Sequence, residues 1–433
     1  MNKQAFFARQ LAHWLFKVDW HYNTLLAATI ECTSELPDDC DSLINELLLR
    51  YPAKPSQTSV TEYLLSSERL ANWFGHNLAA PSSKPTITRF ALQQPSPATH
   101  AGTPLPEINT IGDLANWLSL TVSELDWFAN FWRTDASTPE HRKHYQYELL
   151  EKRQGGVRLI EKPKTRLKQV QQKIYHNMLS TLDTHPAAHG FCKSRNCISH
   201  ASNHVGKRYV MTYDIADCFH SINWPRVKAV FLQLGYATEV AAYLTALCTH
   251  RVQLDYKTRR LFDHAQQELL KQRHLPQGVP TSPALANAVL NRLDRRLSGL
   301  ANTLEMDYSR YADDIAMSSH SIRDWRFLEP LIGGICIDEG VSLNYKKTRI
   351  KRSHQKQRLV GIVVNSEPNI DRQYFDELKA ILTNCKRHGI DSQNRDGHPH
   401  FRAHLLGRIQ YVKSLNKQRG IKLEHIYHEI KDH

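Results

Sequence analysis

Three aspartates stand where a chain can do metal chemistry. Lys207 to Ile215 reads KRYVMTYDI, a run of β-branched and aromatic residues that predicts a strand with Asp214 at its end. Tyr308 to Ser318 reads YSRYADDIAMS, two strand-like pieces flanking Ala312-Asp313-Asp314, which predicts a hairpin with carboxylates at its tip. If the two elements pair in one sheet, the three carboxylates converge, and like charges so placed are costly unless divalent cations neutralise them. Two hard cations about 3.5–4 Å apart activate an attacking hydroxyl and stabilise a departing pyrophosphate. The expected cofactor is a pair of Mg2+ ions, with Mn2+ as substitute, held by Asp214, Asp313 and Asp314, with Ile215 counted among the ligands. An isolated Asp-Asp pair is most often a solvated turn, so its neighbours decide.

Two neighbours suit a nucleotide. In Leu275-Pro-Gln-Gly-Val-Pro-Thr-Ser-Pro283, Gly278 lets the backbone approach a ligand closely and Gln277 offers a donor and an acceptor toward a base pair or sugar. Ser282 and Pro283 suit the N-cap and first turn of a helix with an apolar face of Ala286, Val289, Leu290, Leu293 and Leu297. A triphosphate needs positive charge, which Lys152 and Arg158 supply on what reads as a glycine-turn hairpin, Lys152-Arg-Gln-Gly-Gly-Val-Arg158-Leu-Ile160. From Lys346 to Arg358 there are seven Lys or Arg and no Asp or Glu. Beside a polymerising site such a run is expected to face a duplex, with Lys351, Arg352 and Lys356 on phosphate.

The elements that position these residues follow from pattern. Phe7, Leu11, Trp14, Leu15 and Val18 mark one apolar helix face, so residues 1–80 are expected to form a helical region. Six prolines between Pro81 and Pro106 predict a linker over 81–106. Thr110-Ile-Gly-Asp113 and Thr121-Val-Ser-Glu124 resemble capping boxes. They open a helical hairpin whose Trp117, Leu118, Leu125, Trp127, Phe128 and Trp132 should pack rather than read DNA. Residues 366–433, with Tyr374, Leu378, Ile381, Leu382, Leu405, Leu406 and Ile409 at helical spacing and several lysines and arginines, predict basic helices.

The composition is compatible with this chemistry. Lys and Arg exceed Asp and Glu by 56 to 43 over 433 residues, a formal charge of +13 that favours a polyanionic partner. The eight cysteines are scattered without a CxxC and read as reduced thiols. Cys385, His388, His398, His400 and His404 lack the repeated spacing of a zinc finger, and no zinc is expected there. Arg9, Lys17 and Asp19 interrupt the apolar start before any secretory core or membrane span. A cytoplasmic protein without a membrane partner is expected.

Tyr311-Ala-Asp-Asp314 resembles the YxDD box of reverse transcriptases, and its neighbours stand in the order of that family. Asp214-Ile-Ala-Asp-Cys-Phe219 resembles the first acidic motif, LPQGVPTSP the LPQGxPxSP segment, and Gly340-Val-Ser-Leu-Asn-Tyr-Lys-Lys347-Thr the GxxxNxxKT segment. The resemblance covers about residues 145–415. It implies an α+β right-hand polymerase fold, with fingers and palm over 107–365 and a helical thumb over 366–433 that binds RNA or duplex. By the same resemblance Lys152 and Arg158 are phosphate ligands, Phe219 excludes a ribose 2′-hydroxyl, and Lys347 protonates the leaving pyrophosphate.

Ala188-His-Gly-Phe191 and His200-Ala-Ser-Asn-His204 most resemble retron enzymes, which usually carry NAxxH at the second segment and VTG where this chain has Leu359-Val360-Gly361. His204 and Gly361 are on that basis placed with the nucleic-acid contacts. The implied function is copying a structured non-coding RNA into DNA, as multicopy single-stranded DNA primed from an internal 2′-hydroxyl, in antiphage defence. The implied partners are that RNA, the RNA–DNA hybrid, deoxynucleoside triphosphates and a toxin or effector protein. Two alternatives stay open: a non-retron bacterial defence reverse transcriptase, and a non-catalytic RNA-binding scaffold of the same fold.

Overall fold

A computed structural model of the chain describes residues 3–33, 40–74, 99–100, 103–131, 139–152, 155–321 and 326–430. The chain divides into two compact units, 1–144 with 231–247, and 145–230 with 248–433.

The first unit begins with helices α1 (Lys3–Lys17), α2 (Tyr22–Cys32), α3 (Cys40–Arg50), α4 (Gln57–Ser66) and α5 (Glu68–Phe74). The apolar stripe of α1 buries Phe7, Leu11 and Leu15 against Leu25, Leu43, Ile44, Leu47 and Leu64, with Trp14 and Val18 packed at the margin. Burying each large aliphatic side chain contributes roughly 1.5–3 kcal/mol. The Pro-rich stretch read as a linker lies largely outside the described residues; within it, β1 (Thr99–His100) pairs antiparallel with β2 (Thr103–Pro104).

Helices α6 (Ile111–Leu118) and α7 (Val122–Ala129) start at the two capping boxes read from sequence. The Thr110 hydroxyl accepts from the Asp113 amide at 3.1 Å, and the Asp113 carboxylate accepts from the Thr110 amide at 2.9 Å. Leu118, Leu125 and Phe128 are buried, whereas Trp127 is half exposed with its ring edge on His144. Trp132 lies outside the described residues. Tyr236 and Tyr243 donate to the Pro106 carbonyl and the Asp126 carboxylate, fixing 231–247 within this unit.

The second unit starts with the antiparallel pair β3 (Tyr145–Glu151) and β4 (Val157–Pro163), followed by α8 (Thr165–Asn177) and α9 (Cys197–Ser202). Next come β5 (Tyr209–Asp214), α10 (Cys218–Ser221) and α11 (Trp224–Gln233), whose end, with α12 (Thr238–Cys248), belongs to the first unit; α13 (Tyr256–Arg259) and α14 (His264–Lys271) return to the second. The long α15 (Ser282–Thr303) leads into β6 (Asp307–Tyr311), β7 (Asp314–Ser319), α16 (Leu328–Asp338) and β8 (Arg349–Arg352). Strands β9 (Arg358–Leu359), β10 (Ile362–Val363) and β11 (Asn369–Ile370) form a small separate sheet. Helices α17 (Arg372–His388), α18 (Phe401–Leu415) and α19 (Lys417–His428) close the chain around Leu378, Leu382, Leu405, Ile409 and Leu423.

The central sheet runs β6-β7-β5-β8, antiparallel throughout. Val210 and Ala316 face α9 and the β9–β10 hairpin in one apolar cluster. Met211, Tyr213, Ile315 and Met317, the alternating set, are also buried, so both faces of β5 and β7 are covered. That explains why these strands read as nearly continuous apolar runs. The start of α15 differs from the sequence expectation. Its N-cap is Thr281, and Ser282 turns its hydroxyl back to donate to the Pro276 carbonyl at 2.7 Å, so Ser282 braces the preceding loop instead of capping the helix.

Candidate active site

The register of the sheet places Asp214 directly opposite Asp314 as the last pair between β5 and β7. Asp313 occupies the two-residue turn between β6 and β7, since Tyr311 pairs with Asp314. Its carbonyl accepts from the Ile215 amide at 2.9 Å, tying the end of β5 to the turn. On the other side of β5, the Asp214 carbonyl accepts from the Asn344 amide at 2.7 Å and Ser342 accepts from Ala216 at 2.8 Å. These bonds bring Lys347 to the same place, where its ammonium donates to Asp214 Oδ1 at 2.8 Å.

The charge balance there is negative. Burial and then the Asp214 charge raise the Asp313 carboxyl, against the pull of Lys347 and Arg158. Burial followed by the charges of Asp313 and Asp214 pushes Asp314 up to about 7. Carboxylates that resist ionising beside one another are a donor set suited to a hard divalent cation. One lysine offsets part of the surplus. Among the described residues the three aspartates do not draw their oxygens within 4.8 Å of one another, as Glu161, His220 and His274 do.

The turn is held from behind by residues that sequence reading missed. Ala312 adopts φ +56°, unusual for a residue with a Cβ, and its carbonyl accepts from Arg310 Nη1 at 2.8 Å. Arg310 is fully buried and donates to both Asp294 oxygens, at 2.8 and 2.6 Å, and to Asn287 at 3.1 Å. Asn287 also donates to the Gly190 carbonyl at 2.9 Å. A Cβ on Gly190 would lie 2.4 Å from the Ala312 nitrogen, so only glycine lets this loop lie against the turn. A signal existed: Asp294 and Asn287 are polar residues inside the buried stripe of α15.

The nucleotide-side residues fall on several elements. Lys152 and Arg158 flank the β3–β4 turn and are exposed. Phe219 lies on α10, half-buried, its ring 6.5 Å from that of Phe191. Gln277 is also half-buried, and its carbonyl accepts from the Glu161 amide at 2.8 Å. Gly278 has a reason in the fold as well. At φ +117°, a Cβ would stand 3.0 Å from Ile160 and 3.3 Å from the Glu161 carbonyl, so the close approach requiring glycine is to β4.

Of the expected nucleic-acid contacts, Lys351 and Arg352 are exposed on the edge strand β8. Lys356 forms an ion pair with Asp371. Gly361 follows Val360 in the β9–β10 turn. His204 is a correction. Its ring is fully buried, with Nδ1 2.7 Å from Ser318 Oγ and Nε2 2.8 Å from Ser309 Oγ. With both nitrogens engaged inside the protein, it links α9 to the sheet and cannot reach RNA.

The reverse transcriptase (RNA-dependent DNA polymerase) family model matches residues 150–364. Retron Mx65 reverse transcriptase of Myxococcus xanthus is 36% identical over 320 residues, 74% of this chain and 71% of that protein. Retron Mx162 reverse transcriptase of the same organism is 33% identical over 65% of this chain and 60% of its own length. Retron Ec86 reverse transcriptase of Escherichia coli is 28% identical over 64% of this chain and 78% of its own. Likeness of this extent, spanning the sheet and the turn that carry the aspartates, settles the kinship: the chain belongs to the retron reverse transcriptases, RNA-directed DNA polymerases of the α+β right-hand fold.

Proposed function

We propose that this chain copies a structured non-coding RNA into DNA by two-metal nucleotidyl transfer, as the enzyme of an antiphage system. The observation that carries the reading is the facing of Asp214 and Asp314 across β5 and β7 with Asp313 in the adjoining turn. Asp214, Asp313 and Asp314, with Ile215 beside them, would hold two Mg2+ ions, whose chemistry is to lower the pKa of the primer hydroxyl and neutralise the departing pyrophosphate.

The protein's own groups supply the rest. Lys347, whose ammonium donates to Asp214 Oδ1, would protonate the leaving pyrophosphate as general acid. Arg158 and Lys152 bind the triphosphate from the β3–β4 hairpin. Phe219 closes the sugar side, and Gln277 with Gly278 forms the opposing wall. Lys351 and Arg352 hold the RNA–DNA hybrid by phosphate charge, and Gly361 lies in the hairpin that supports the primer. The resemblance to retron enzymes assigns the non-coding RNA as template and primer, and an effector protein as the further component of the defence system.

Replacing Asp214 or Asp313 by Asn tests this. Each should lower Mg2+-dependent deoxynucleotide incorporation by at least about a thousandfold, the scale of several kcal/mol of metal-borne stabilisation, while RNA binding persists. Near-normal incorporation by either variant, measured in single-nucleotide extension on a folded protein, refutes the two-metal assignment.

A further inference from the structure

Beside the residues assigned to the nucleotide lies a second group of potential ligands with no role in the reaction above. Glu161 on β4, His220 on α10 and His274 just before the Gln277 loop bring one ligand atom each to within 4.8 Å of one another. Glu161 and His274 are fully buried, and the His220 side chain is 12% exposed. The two imidazoles meet edge to face at 82° with centroids 4.8 Å apart.

The hydrogen-bond accounting within this group does not close. His274 Nδ1 lies 2.9 Å from the Gln272 carbonyl, so Nδ1 carries the hydrogen and Nε2 of a neutral ring presents a lone pair. In that state the lone pair faces Glu161 Oε1, 3.2 Å away, an oxygen that also accepts from the Gln277 amide at 3.4 Å. His220 Nε2 is 3.4 Å from the same oxygen but has no hydrogen-bond partner, and Glu161 Oε2 is buried with none. Glu161 Oε2 and His220 Nε2 are thus two buried ligand atoms that a cation bound between these side chains would satisfy.

We propose that Glu161, His220 and His274 bind one Zn2+ ion, a site separate from the aspartate centre. A His2Glu set is a zinc donor set, and its nitrogen ligands disfavour Mg2+. With bonds of about 2.0–2.2 Å, neighbouring ligands of a tetrahedral ion stand roughly 3.3–3.6 Å apart, close to the 3.2 and 3.4 Å separations from Glu161 to the two imidazoles. The Gln272 carbonyl on His274 Nδ1 is the outer contact that fixes a ligating imidazole. The remaining coordination position falls to solvent.

The ion would join three separated chain segments. His220 adjoins Phe219, His274 precedes Gln277 by three residues, and Glu161 lies three residues beyond Arg158. Zinc is therefore a positioning element for the sugar gate and pocket wall. That consequence rests on the nucleotide assignment above, whereas zinc binding itself does not.

Full-length protein purified without chelator should carry about one zinc per chain by elemental mass spectrometry. The metal should be lost in Glu161→Gln and His220→Gln and retained in Asp313→Asn. Cobalt added to chelator-treated wild type should give a visible ligand-field band without thiolate charge transfer. Zn2+, but not Mg2+, should restore a thermal midpoint lowered by chelation. Zinc-free wild type with no cobalt band, zinc persisting in folded Glu161→Gln, or zinc lost with Asp313→Asn overturns the proposal. If a substitution prevents folding, wild-type zinc content and the cobalt spectrum decide alone. Failure of polymerisation in Asp313→Asn with zinc retained leaves the two assignments independently tested.

Discussion

On the proposed assignment, Phe219 would set substrate choice by its volume. It sits on α10 five residues after Asp214, where the cap residue Asp217 takes φ +43° and accepts from Gln266 Nε2 at 3.0 Å. A side chain held this way would, as the proposed gate, discriminate by steric overlap with a 2′-hydroxyl. Phe219→Ala should therefore raise ribonucleotide incorporation relative to deoxynucleotide by at least about tenfold, a loss of some 1.4 kcal/mol of discrimination. Competitive incorporation with both nucleotide pools measures the ratio, and an unchanged value removes Phe219 from the pocket. His200 and His204 contribute a pH effect. Burial first, then neighbouring positive charge, pushes both imidazoles down to about 3, below the ordinary value near 6.5. Their stabilising contribution is thus present above about pH 6.5 and lost as pH falls toward 3. Asp314 and Glu239, each pushed up to about 7 by burial first, titrate with the opposite sign, so a difference measurement is needed. Between pH 7.5 and 5.5 wild type should lose about 1.4 kcal/mol more than His204→Asn. Urea unfolding at the two pH values checks this, and equal losses would rule it out.

The β6–β7 hairpin couples a half-buried acidic turn to a buried polar base. Strand alternation sends Ser309 toward His200 and His204 and Arg310 toward Asp294 on α15. Tyr308 also donates to Asp294, at 2.7 Å, so the carboxylate is fully served only while Arg310 is present. Arg310→Leu should destabilise the fold by about 3–5 kcal/mol, the cost of stranding a buried charge, and removing Asp294 as well should recover much of it. Chemical denaturation of the single and double variants gives the coupling energy. A single-variant cost under about 1 kcal/mol would deny Arg310 this role. Because Arg310 also holds the Ala312 carbonyl, activity should fall further than stability alone explains.

Across the molecule, the excess of 56 basic over 43 acidic residues is expressed locally as the exposed run on and after β8. Lys356 already faces Asp371, whereas Lys351 and Arg352 are exposed on β8. Replacing both by Ala should weaken RNA binding similarly across sequences. The salt slope should flatten by about 0.7 for each single-strand phosphate that the variant no longer neutralises. Filter binding over a range of salt concentrations measures affinity and slope together, and values identical to wild type would return this face to ordinary solvation. No described helix is long and apolar enough to cross a membrane.

What the sequence by itself determined is local and ordered along the chain. Strand composition around Asp214, the turn at Asp313, both capping boxes and the α1 stripe each depend on neighbours within a few residues. The succession of motifs along the chain identified the family. Tertiary structure decided which side chains meet across long separations. His204 looked available for RNA until folding enclosed it between Ser309 and Ser318, over a hundred positions away. That Gly278 lies against β4 was likewise not legible from its own loop. Asp294 stood out as a polar residue in the apolar stripe of α15, but its pairing with Arg310, like the meeting of Glu161 with His220 and His274, arises only when strand and helix close on one another. Periodicity reports which face of an element turns inward; it carries no information about which polar group waits on the other side.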